Sequence, residues 1–113
     1  LAINSSASGK QGNFTKTEIL KRSGDHGAAF SAYLIDENGK VGKKYGAKTT
    51  PHMFIVDPQG KLAYMGAIDD IKSTKVADVK KASNYVAAAL DALLEGKPVA
   101  ASMTKPYGCG VKY

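Results

Sequence analysis

Cysteine is almost missing from this sequence. Its 113 residues contain one, Cys109, so no internal disulfide can form and the chain is not a disulfide-built secreted scaffold. A cytoplasmic setting is expected over a secreted one. Arginine is equally scarce: Arg22 is the only one, and the other basic residues are lysines spread along the chain rather than blocked. A nucleic-acid binder would show a basic stripe with arginine and stacking aromatics. The net charge of +6 is therefore read as an aid to solubility and a weak attraction for anions, with no nucleic-acid partner. No apolar run approaches the roughly 20 residues of a membrane helix, so no membrane partner is expected. Leu1-Ala2-Ile3-Asn4 has no basic start followed by a long apolar stretch, and is not a signal peptide. Nor is there an initiator Met, so a fragment is expected.

Phosphate-binding glycine patterns are absent as well. Gly39, Gly42 and Gly46 fall within or around a helix rather than after a strand, which argues against a nucleotide site. Asp69-Asp70 resembles a carboxylate pair, but without a neighbouring His or Cys it reads as a solvated loop or a helix cap, and no metal or cofactor is expected. The other histidine, His26 in "GDHG", reads as a turn residue.

What is present is an α/β pattern over a single domain, residues 1–113. "LAIN" reads as the end of a buried strand, and Thr15 or Thr17 caps a short helix in "TEILKRSGDHG" with Ile19 and Leu20 facing inward. "AAFSAYLID" is extended, with Phe30, Ala32 and Leu34 on one face. Asp36 caps a helix in "ENGKVGKKY" that Gly46 ends. "HMFIVD" and "KLAYMGAI" flank Asp57-Pro58-Gln59-Gly60, a type I turn signature, and form a β-hairpin. From Val76 to Glu95, apolar residues at Val79, Val86, Leu90, Leu93 and Leu94 predict one long amphipathic helix, closed by Gly96 and Pro98. Tyr64 and Tyr85 read as core aromatics with polar tips. Near the terminus, "GVKY" is a candidate edge strand.

Two stretches carry candidate chemistry. In "KTTPHMFIVD" a proline opens a strand after two threonines, where it either begins the strand or forms a cis Thr50–Pro51 peptide that frees neighbouring backbone for an extended ligand. His52 follows, as a half-buried residue or one that tunes a nearby thiol. In "PYGCGVKY", Cys109 lies between Gly108 and Gly110, unlike the apolar run of a structural thiol.

The run "VGKKYGAKTTPHMFIVDPQGKLAYMGAIDD", with "LAINSS", "NYVAAALDALLEGKPV" and the terminal "GCGVKY", resembles the peroxiredoxin-like redoxins, relatives of the alkyl hydroperoxide reductase and thiol-specific antioxidant proteins. The resemblance implies an incomplete thioredoxin-like fold: a mixed sheet with a C-terminal β-hairpin and a long C-terminal helix. It also implies a reactive cysteine on an upstream strand–helix unit, which 1–113 lacks. Pro51 then matches the family's cis-proline, Thr50 the residue whose backbone meets substrate, and Cys109 a late resolving thiol on a tail made mobile by its glycines. Members carry an arginine near the "FIVD" strand to hold peroxide. Here that place reads Pro51-His52-Met53, which favours thiol–disulfide exchange over peroxide reduction.

The implied activity is that of a thiol–disulfide oxidoreductase or thiol-dependent antioxidant, with a disulfide or peroxide substrate and a thiol reductant for the intact parent; the fragment alone is expected to be inactive. Without the strand that the fold would place beside "HMFIVD", the chain is expected to be a homodimer or a strand-exchanged oligomer. The alternative is a non-enzymatic binding module in which Cys109 is a passenger.

Overall fold

In a computed structural model that describes all 113 residues, the chain divides into two units, Leu1–Ala47 with Val111–Tyr113 and Lys48–Gly110. The first unit contains β1 (Ala2–Asn4), α1 (Lys16–Asp25), β2 (Tyr33–Ile35) and α2 (Lys40–Tyr45). β1 and β2 pair in parallel, with Ala2 opposite Tyr33 and Asn4 opposite Ile35. Thr15 starts α1 with a capping box: its hydroxyl accepts the Glu18 N–H, and the Glu18 carboxylate accepts the Thr15 N–H at 2.8 Å. Arg22, the lone arginine, lies over the Phe14 ring, 4.1 Å from its centroid.

Asp36 organises the turn into α2. Its buried carboxylate accepts the Ser5 hydroxyl at 2.7 Å and the N–H groups of Gly42 and Val41 at 2.8 and 3.1 Å. Burial pushes this carboxyl up, but those donors outweigh it and hold it below the ordinary Asp range. Asp36 thus serves the first turn of α2 from three residues before its cap, Gly39. As expected, Gly46 closes the helix in a left-handed conformation, at φ 67°.

The second unit contains β3 (Thr49–Thr50), β4 (Met53–Val56), β5 (Leu62–Gly66), α3 (Val76–Val79), α4 (Tyr85–Leu94) and β6 (Cys109–Gly110). β4 and β5 form the expected antiparallel hairpin, whose turn is closed by the Gly60 N–H on the Asp57 carbonyl at 2.9 Å. Tyr64 is the only large side chain buried completely. Its hydroxyl donates to the Ala67 carbonyl at 2.6 Å and lies 2.6 Å from the Thr104 hydroxyl.

Three expectations are corrected. The long helix over 76–95 is two helices, α3 and the ten-residue α4, because the intervening segment bonds elsewhere. There the Asp70 carboxylate accepts the Ser83 N–H, the Ile68 carbonyl accepts the Tyr85 N–H, and the Asn84 side chain caps Ala87. The strands form three two-stranded sheets, β1–β2, β3–β6 and β4–β5, rather than one mixed sheet. Several residues on the apolar faces read from the spacing are exposed: Leu20, Leu34, Val79, Leu90 and Leu94 among them.

Uncovered apolar surface is general to the chain. Leu1, Val76 and Leu94 are almost fully exposed. No helix is long and apolar enough to cross a membrane.

Candidate functional site

All four residues singled out from sequence lie in the second unit, and its strand pairing brings Cys109 to Thr50 and Pro51. β3 and β6 pair antiparallel, with Thr49 opposite Gly110 and Thr50 opposite Cys109. Thr50–Pro51 is a cis peptide. Pro51 has no N–H to extend the ladder, so pairing stops at Thr50, directly across from the thiol-bearing residue. Cys109 is free and exposed. The short edge strand expected in "GVKY" is therefore set earlier, at Cys109–Gly110.

The two glycines that flank the thiol differ. Gly108 has φ 138°, and a Cβ built on it would stand 2.3 Å from the Thr50 carbonyl oxygen. Only a bare backbone approaches Thr50 and Pro51 this closely. Gly110 has nothing within 4 Å of such a position. Upstream of these glycines the tail is hydrogen-bonded to β5 and the segment after it. The Thr104 hydroxyl accepts the Ala67 N–H at 3.0 Å, and the Thr104 N–H donates to the Met65 carbonyl at 3.0 Å. Nearer the thiol, the Tyr107 hydroxyl donates to the Asp69 carboxylate.

His52 lies beside this pair without joining it. Its Nδ1 accepts the Lys48 N–H at 3.2 Å, which puts the proton of the neutral ring on Nε2. Nε2 is buried and has no hydrogen-bond partner. The ring lies 4.4 Å from Phe54, centroid to centroid. Burial, then the charge of Lys48, lowers the His52 pKa and keeps the ring neutral at pH 7.

Sequence reasoning passed over Asp69 and Tyr107 as site residues. Tyr107 is pushed up to about 12 by its hydrogen bond to Asp69, then by burial and the charges of Asp69 and Asp70, so the phenol remains a donor across the physiological range. The same Asp69 oxygen accepts the Ile71 N–H at 3.1 Å. No group of three or more His, Cys, Asp or Glu side chains lies together to hold a metal ion. What the arrangement offers chemically is one accessible thiol, set in register against the backbone of Thr50.

No family model and no curated protein matches this chain. Among solved structures it is similar to a hypothetical protein from Sinorhizobium meliloti 1021, at 32% identity and a TM-score of 0.76. It is also similar to an uncharacterized conserved protein from Geobacillus kaustophilus, at 33% identity and a TM-score of 0.81. Each match takes in 99% of this chain, which spans 60% of the first protein and 58% of the second.

Proposed function

We propose that this chain is part of a thioredoxin-like, peroxiredoxin-like redoxin, and that Cys109 is its thiol for disulfide exchange. The observation that carries this reading is the pairing of Cys109 with Thr50, the residue before Pro51. An exposed thiol at a strand edge meets an incoming sulfur alongside backbone that can pair with an extended chain. In the exchange, the Cys109 thiolate attacks one sulfur of a disulfide, having released its proton to solvent. A Cys109–S–S–R bond forms while the other sulfur leaves as a thiolate. A thiol reductant then attacks the mixed disulfide and restores Cys109, becoming disulfide-linked to R.

The test compares Cys109 in the folded chain with Cys109 in an isolated peptide of residues 106–113, both offered a cysteine peptide activated as its glutathione mixed disulfide. Exchange in the folded chain at least tenfold faster, and lost in Cys109→Ser, is the expected result. Equal rates would leave Cys109 a passenger and favour a binding module.

A second copy of the chain is the partner this reading favours. Parallel strands are normally covered on both faces, yet Ile3, Leu34 and Ile35 of β1–β2 are all exposed. Sedimentation should give a dimer. A monomeric mass with a well-protected amide core would refute it.

A further inference from the structure

The β3–β6 ladder has two residues on each side, too few to hold its own register in water. Something else must keep Cys109 opposite Thr50. The anchors upstream are Thr104, tied to Ala67 and Met65, and Tyr107, tied to Asp69. From Thr104 alone, the five-residue reach to position 109 is about 17 Å; from Tyr107 the two-residue reach is about 7 Å. For a flexible segment the effective concentration at its end falls roughly as the −3/2 power of its length, so shortening it from five residues to two raises that concentration roughly fourfold.

The geometry points to Tyr107, held by Asp69, as the positioning residue of the Cys109 thiol. This inference rests on the reading of Cys109 as an exchange thiol, and adds what places it. The anchor is suited to the task because Asp69 is itself fixed. Its carboxylate also accepts the Ile71 N–H, and its backbone bridges to Asn84, the cap of α4. A hydroxyl bonded to a carboxylate is among the stronger neutral-to-charged hydrogen bonds. Tyr107 therefore transmits the position of the α4 cap to the tail two residues before the sulfur. Gly108, between them, is the bare segment that lets the tail turn against Thr50.

The test uses an intrachain disulfide. Thr50→Cys puts a second thiol opposite Cys109, at a cross-strand separation a disulfide can span. In a glutathione redox buffer, oxidised glutathione takes up the two electrons of the pair and becomes two reduced molecules, and the equilibrium gives the effective molarity of Cys109 at position 50. Adding Tyr107→Phe should lower that value about fourfold while leaving the alkylation rate of Cys109 by iodoacetamide within twofold, since a small reagent needs no positioning. Asp69→Asn retains an acceptor oxygen for Tyr107 and should restore most of the effective molarity that Asp69→Ala removes. An unchanged effective molarity in Tyr107→Phe would overturn the inference. If Thr50→Cys perturbs the fold, amide exchange at Cys109 in Tyr107→Phe alone gives the same decision: faster supports the anchor, unchanged refutes it. Failure of the peptide-disulfide experiment above bears on the exchange reading, and leaves this intrachain measurement to stand or fall by itself.

Discussion

Replacing Gly108 by alanine should open the contact between the tail and Thr50, whereas the same change at Gly110 should not. At Gly108 the new Cβ would meet the Thr50 carbonyl oxygen at 2.3 Å and its carbon at 2.9 Å, against a floor of 3.0 Å for real Cβ contacts. Both obstructing atoms are backbone, so the strands must part by about 0.7 Å or more, or the chain must leave φ 138°. A Cβ also strains that φ, and backbone strain of this kind costs about 1–3 kcal/mol. A free energy of that size multiplies the open population about 5- to 150-fold. At Gly110 no atom lies within 4 Å and φ is not positive, so alanine should be neutral or stabilising by up to about 1 kcal/mol. Hydrogen exchange at Thr50 and Cys109 measures both. Faster exchange only in Gly108→Ala is the expected pattern. Equal exchange in the two variants would refute the close-approach argument and return the glycines to a shared role as flexible links.

Three other outcomes follow from contacts already described. Because folding lowers the Asp36 pKa, its contribution is complete above the unfolded value near 3.9 and is lost as pH falls through the lower folded value. Asp36→Asn should therefore flatten the acid limb of a stability–pH curve below about pH 4, and an acid limb identical to the wild type would contradict this assignment. Tyr64→Phe removes a buried hydroxyl from Ala67 and Thr104 and should cost about 1–2 kcal/mol, read as a lower denaturant midpoint at constant slope. Gly66→Ala should be worse than an ordinary glycine replacement, since its Cβ would stand 2.5 Å from the Thr104 carbonyl oxygen at φ 147°, and tail protection at Thr104 should fall with it.

The features legible in the sequence are those decided within a few residues. A threonine cap at 15 or 17, Gly46, and the Asp57-to-Gly60 turn each satisfy local backbone groups, and in the structure Thr15, Gly46 and the turn do so. The break at 80–84 was not legible. Ser83 and Tyr85 bond to Asp70 and Ile68, more than ten residues away, and no local periodicity records that competition. Leu20 and Leu94 carry the helical spacing of inward residues, but spacing names a face and not what covers it. At the candidate site, Pro51 and Cys109 stood out by residue type. Their proximity did not, because it depends on a ladder that joins positions 59 residues apart. For the same reason Gly108 and Gly110 looked alike, and Tyr107 and Asp69, 38 residues apart, looked unrelated.

The contrast between the hairpin and the parallel pair also sets an order of assembly. β4 and β5 meet after the chain closes a turn of five residues, an event on the microsecond scale. β1 and β2 meet only after a crossover of 28 residues that contains α1. Each doubling of a closed loop costs about 0.6 kcal/mol, so the parallel pair starts about 1.5 kcal/mol behind on chain entropy alone. During refolding the edges of β1 therefore wait longer for a neighbour than those of the hairpin, and Leu1 and Ile3, both exposed, offer one unfinished molecule a place to meet another.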